Sequence, residues 1–198
     1  MIALLSPRGF DTSGIASLLR QAEASVVAVD IGDPLPPHVR ALLLAGDGEF
    51  GVAGEPVPEA LREALDAGLP VLGIEWGMHA ISAAFGGRPP VEVTGHQSKH
   101  RIFLTMGGKV AGAIGGAGVV SVPGRHRYGL TEGRRGKGLM TTAYGLEDGV
   151  IEALEVPGVE RWVVGVQWPA HMVDDLPSGF ASLVAAFVGQ ALRGSSSG

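Results

Sequence analysis

Glu75 stands between an apolar run at residues 70–74 (PVLGI) and a segment in which Met78, Ile81, Ala84 and Phe85 recur at helical spacing. A carboxylate on so short a strand-to-helix turn projects beyond the carboxyl end of a strand, where open α/β sheets bind their ligands. It can act there as an acid, a base or a ligand-binding group, with Trp76 beside it. His79 follows four residues later on the same helix face, and His96 and His100 repeat that spacing. Carboxylate and imidazole together are zinc donors, but there is no His-Glu-x-x-His pattern and the two pairs lie in different segments. No metal and no cofactor is therefore expected, and His96 and His100, flanked by Lys99 and Arg101, are expected at the surface.

A second group is basic. Arg125, His126, Arg127, Arg134, Arg135 and Lys137 lie in or beside a glycine-rich stretch. They could hold a phosphate, a carboxylate or an acidic partner, or simply keep a loop solvated. The chain carries 15 Lys and Arg against 20 Asp and Glu, for a net charge of -5, so no overall field draws it to nucleic acid or to an anionic membrane. Trp76, Trp162 and Trp168 are not interleaved with the basic residues as a base-stacking surface would require, and they read as core or pocket wall.

The sequence contains no cysteine. This excludes disulfides, thiolate metal sites and a cysteine nucleophile. With 198 residues and 45% hydrophobic content, one sizeable core is expected, as a single domain over residues 1–193 with residues 194–198 a flexible tail. Glycine, at 32 residues, is well above the usual ~7% but spread through apolar segments, which implies tight turns. The amino terminus lacks the basic start and long apolar run of a signal peptide, and no membrane span is apparent, so a cytoplasmic location is expected.

The elements that must position these groups begin with an apolar run at 1–5 and a helix carrying Ile15, Leu18, Leu19 and Ala22. Runs at 25–30 and 41–44 read as buried parallel strands. A helix with Ala60, Leu61, Ala64 and Leu65 on one face closes at Gly68. Beyond it, runs at 101–105, 119–122, 139–144, 150–155 and 162–167 read as added antiparallel strands, with Asp148-Gly149 marking a hairpin. A last helix carries Phe180, Leu183, Val184, Phe187, Val188, Ala191 and Leu192 in one stripe.

The segment LPVLGIEWGMHAISAAFGG resembles the nucleophile elbow of class I glutamine amidotransferases. In order along the chain, LLLAGDGEF is similar to the family's oxyanion strand and loop, VSVPGRHRYGL to the "VNSxHHQ" stretch of γ-glutamyl hydrolase-like members, and DGVIEALEVPG with WVVGVQWPAH to "DGVIEA(I/L)E…GVQWHPE". The resemblance implies an α/β, flavodoxin-like three-layer sandwich with a mostly parallel central sheet plus added antiparallel strands.

It also assigns positions. Glu75 falls on the nucleophile, Pro169 on the triad histidine and His171 on the triad glutamate, so all three members of a Cys/His/Glu triad differ. Ala45, Gly46 and Asp47 replace the usual Pro-Gly-Gly, and a carboxylate there opposes oxyanion stabilisation. If the family geometry holds, Glu75 meets His171 as an ion pair that raises the imidazole pKa and lowers that of the carboxylate. Gly46, Asp47, Trp76, His79, His126 and Gln167 are the candidate ligand-binding residues. The expectation is a non-catalytic homologue that binds a small amide or amino-acid-like ligand or a partner. The alternatives are a hydrolase acting on glutamine or γ-glutamyl amides through Glu75 and His171, and a regulatory subunit of a synthetase or a homo-oligomer.

Overall fold

The structure, a computed structural model, describes residues 1–193; the expected flexible tail at 194–198 lies outside them. In chain order the elements are β1 (Ile2–Leu5), α1 (Ser13–Gln21), β2 (Val26–Val29), β3 (Ala41–Gly46), α2 (Glu59–Asp66), β4 (Val71–Glu75) and α3 (Trp76–Ala84). They continue as β5 (Val91–Glu92), β6 (His100–Leu104), α4 (Lys109–Ile114), β7 (Gly118–Val122), β8 (Tyr128–Gly129), β9 (Met140–Gly145), β10 (Ile151–Glu155), β11 (Val163–Val166) and α5 (Ser182–Arg193), with a 3-10 turn at Val173–Asp175 before α5.

The main sheet has nine strands in the order β2-β1-β3-β4-β11-β10-β9-β6-β7. β2, β1, β3, β4 and β11 run parallel, and β10, β9, β6 and β7 extend the sheet by antiparallel pairing. The parallel half has the doubly wound 2-1-3-4-5 arrangement of flavodoxin-like folds. Strands β1, β3, β4, β10 and β11 are buried along their whole length, which is why the parallel ones among them, β1, β3, β4 and β11, read as nearly continuous apolar runs and not as alternating ones.

Helices cover both faces. Ile15, Ala16 and Leu19 of α1, Val110 and Ala111 of α4, and Leu183, Val184, Phe187, Val188 and Ala191 of α5 pack on one side. Ala60, Leu61 and Ala64 of α2, with Met78, Ala80 and Ile81 of α3, pack on the other. Each fully buried Leu, Ile or Phe contributes about 1.5–3 kcal/mol, so the α5 stripe alone holds its layer against the sheet.

Several expectations are corrected. The run ending at Gln167 pairs antiparallel with β10 but parallel with β4, which makes it the fifth parallel strand. Residues 109–114 form α4, a helix whose short Gly- and Ala-rich sequence carries no apolar periodicity long enough to announce it. The last helix starts at Ser182, after Phe180. The Asp148-Gly149 hairpin joins β9 to β10 as expected, with Gly149 at φ 72.

Candidate functional site

The carboxyl ends of β3, β4 and β11 lie side by side. Gly46 pairs with Glu75, and Val166 with Ile74, so Gln167 follows on the flank of Glu75 opposite Gly46. Glu75 has φ 52 and ψ -110, a conformation that costs a non-glycine residue about 1–3 kcal/mol. Strand must become helix within one residue here, and the flanking glycines make this possible. A Cβ on Gly73 would lie 2.5 Å from the Gly77 backbone, and a Cβ on Gly77 would lie 2.3 Å from the Leu44 carbonyl oxygen. This is the sharp turn on which nucleophile elbows are built.

Glu75 is 4% exposed, and among the described residues its carboxyl has neither a hydrogen bond nor an ion pair. Burial pushes its pKa up to about 8; Arg125 works against the rise, and Asp47 adds to it. The group is therefore mostly an uncharged carboxylic acid at neutral pH. Trp76 is buried and stacks edge-on against Phe50, with ring centroids 5.4 Å apart.

The expected ion pair between Glu75 and His171 does not form. His171 packs edge-on against Phe10 at 5.9 Å, and among the described residues its Nδ1 has no hydrogen-bond partner. Burial and the Arg125 charge hold its pKa below the usual value, against smaller opposing effects of Asp11 and Asp47. Both shifts run opposite to those of an ion pair, because desolvation dominates at each group and neither is paired with the other. Pro169 is buried in the chain leading to His171 and has no side-chain group to take a proton.

His79 and Gln167 are buried behind the elbow, and among the described residues neither the imidazole nor the amide has a hydrogen-bond partner of good geometry. Burial, reinforced by His126, drives the His79 pKa down to about 3, so its ring is neutral. Arg125 reaches Met172 Sδ at 3.1 Å. Next to it in sequence, His126 turns inward.

His126 joins a cluster that the sequence did not reveal. His96, placed at the surface by its neighbours, is 4% exposed, and His100 is half-buried at the start of β6. Their spacing of four is not a helix face, because His96 sits in the loop after β5. Glu152 of β10, fully buried, points Oε1 at all three rings: His96 Nδ1 is 3.0 Å away, His100 Nε2 3.0 Å and His126 Nε2 3.4 Å. Burial opposes ionisation of Glu152, but the three histidines outweigh it and hold its pKa far below the usual carboxylate range. These four side chains could hold a metal ion. The signal was present only as separated histidines and an acidic residue inside a strand.

The family model Peptidase C26 matches residues 58–171, a span that includes the elbow and the histidine cluster. A candidate glutamine amidotransferase of Mycobacterium tuberculosis is 36% identical over 146 residues, which span 67% of this chain and 45% of that protein. The chain thus covers less than half the length of that relative. A candidate GMP synthase subunit from Thermoplasma acidophilum superposes with a TM-score of 0.78 at 15% identity, covering 98% of this chain and 96% of that one. The glutaminase domain of CTP synthase from Trypanosoma brucei, solved with bound acivicin, superposes with a TM-score of 0.69 at 16% identity, covering 97% and 93%. At these identities the two structures establish the fold.

Proposed function

This chain belongs to the Peptidase C26 family, and we propose that it is a glutamine amidotransferase-like protein that binds a small amide or amino-acid-like ligand at the elbow without thiol catalysis. Glu75 stands at the nucleophile position, in a chain with no cysteine, and Pro169 and His171 replace the remaining triad members. The observation that carries this reading is the unpaired, uncharged carboxyl of Glu75 held at the end of β4. A protonated carboxyl offers one donor and one acceptor, the complement of a primary amide. The γ-glutamyl hydrolase-like branch is favoured by the stretch around His126.

The carboxyl's raised pKa also suits a general acid, which is the support for the second reading, hydrolysis of a glutamine-type amide through Glu75 and His171. That route lacks a base within reach of Glu75, so binding is preferred. Because the two solved structures are a glutaminase domain of one synthase and a candidate subunit of another, a synthetase is the kind of partner proposed.

Calorimetric titration with glutamine and γ-glutamyl dipeptides tests the reading. Binding should weaken as pH rises through about 8, where Glu75 loses its donor, and Glu75→Ala should abolish it. Binding that ignores both changes, or steady ammonia release from glutamine, sinks the proposal.

A further inference from the structure

His96, His100 and His126 each turn one ring nitrogen outward to an oxygen and the other inward to Glu152. His96 Nε2–H donates to Asp148 Oδ2 at 2.7 Å, His100 Nδ1–H to the Ser98 carbonyl at 3.2 Å, and His126 Nδ1–H to the Tyr128 carbonyl at 2.9 Å. In a neutral imidazole these outward bonds use the ring's one proton. The three inner nitrogens are then lone pairs, all facing the same carboxylate oxygen. Lone pairs converging on an anion repel one another unless a cation lies among them. That cation is either a proton on one inner ring nitrogen, which leaves the other two lone pairs facing the carboxylate, or a metal ion, which satisfies all three at once.

We propose that His96, His100, His126 and Glu152 form a binding site for one divalent transition-metal cation of the zinc class. The donor set is chemically apt: neutral imidazoles with one carboxylate suit zinc and its neighbours, and no thiolate is needed. The geometry is close to what such an ion requires. Bonds of about 2.0–2.1 Å in a tetrahedron place ligand atoms about 3.3 Å apart, and here the four ligand atoms all lie within 4.8 Å of one another. The outward bonds, above all His96 to Asp148, are the second layer that fixes tautomer and ring direction in metal sites.

The backbone is also shaped for the purpose. Ile151 and Ala153 of β10 pair with Tyr144 and Ala143 of β9, so Glu152 is an extra residue in the ladder. A bulge of this kind re-aims a side chain that regular pairing would direct elsewhere. Access comes through a cleft of about 310 Å³ lined by Thr94, His96, His100 and Asp148. The proposal does not depend on what the elbow binds.

The purified 198-residue chain, stripped with chelator and checked for folding by circular dichroism, is titrated calorimetrically with zinc chloride and by visible absorption with cobalt(II). One ion per chain and a cobalt spectrum of imidazole and oxygen ligation are expected. His100→Ala should weaken zinc binding at least tenfold and Asp148→Asn by about 10- to 100-fold, both remaining folded. A folded wild-type chain that takes up no stoichiometric zinc overturns the proposal, as does zinc binding that His100→Ala and Glu152→Gln both leave unchanged.

Discussion

Gly46 and Glu75 face each other at the last position of the β3–β4 ladder, which brings Asp47, one residue on, close enough to add its charge to the burial that keeps Glu75 protonated. A loop that in the resembled amidotransferases donates N–H groups to an oxyanion here presents a carboxylate instead. With His171 turned to Phe10, no imidazolium balances the pair. The elbow's geometry and its solvation therefore point in different directions: the strained turn is retained, while burial, with Asp47 adding to it and Arg125 opposing it, disfavours an anionic group at Glu75.

The first consequence is a pH-dependent stability. The Glu75 pKa rises from 4.5 in the unfolded chain to about 8, so the folded state holds the proton more tightly. Its stabilising contribution is complete below about pH 4.5 and is lost as pH rises through 8. Glu75→Gln keeps the shape and removes the titration. The variant should match wild type near pH 4 and exceed it by on the order of 5 kcal/mol near pH 9, measured by urea unfolding. Parallel pH profiles for the two proteins would falsify the assignment of an uncharged Glu75.

Restoring a thiol at the elbow should not restore catalysis. Glu75→Cys would place a single cysteine in a chain that has none, on the strained turn where a nucleophile elbow needs it. Pro169 still offers no base, and burial beside Asp47 disfavours a thiolate. Ammonia release from glutamine should stay at background, and alkylation by iodoacetamide should be slower than for a free thiol. Glutamine turnover by this single variant would show that another group supplies the base.

The elbow was legible because its signal is local: an apolar strand, two glycines four apart and a helix follow one another without interruption. The apolar stripe of α5 was legible for the same reason. The histidine cluster was not, since His96 and Asp148 are 52 residues apart and so are His100 and Glu152; only the pairing of β6 with β9, and of β9 with β10, brings them together. Charged neighbours Lys99 and Arg101 suggested exposure for both histidines, but a strand alternates its faces and a loop residue can turn inward past exposed neighbours. Motif resemblance set His171 at the position of the triad glutamate, yet could not show that its ring would turn to Phe10 and away from Glu75.

Helix α4 escaped detection for a related reason, and the cause can be tested. Gly108, its N-cap, has no side chain to satisfy the first N–H groups; Glu155 of β10 does so instead, accepting from Lys109 N at 2.8 Å and Val110 N at 3.5 Å. The carboxylate also sits at the positive end of the helix dipole. Glu155→Ala should cost about 2–4 kcal/mol by leaving these donors unpaired in a buried place. Glu155→Gln, which keeps one acceptor, should cost less than half as much. Equal losses from both substitutions would point to packing and not to capping, and amide exchange at Lys109 and Val110 separates the two.

Glycine at the elbow and glycine in α4 make opposite predictions from the same substitution. At Gly77, where α3 crosses β3, a methyl group would sit 2.3 Å from the Leu44 carbonyl oxygen and 2.8 Å from its carbon. Both are backbone atoms of a buried strand and neither can swing aside, so Gly77→Ala should destabilise by about 3 kcal/mol or more and displace the turn that holds Glu75. Gly112 lies on the exposed side of α4 with nothing within 4 Å of the added carbon. There alanine removes backbone freedom from the unfolded chain and suits the helix, and Gly112→Ala should stabilise by about 0.5–1 kcal/mol. Thermal unfolding of the two variants beside wild type checks both signs at once. A tolerated Gly77→Ala would mean that α3 is not pressed against β3, and the tight elbow that places Glu75 at the end of its strand would have to be redrawn.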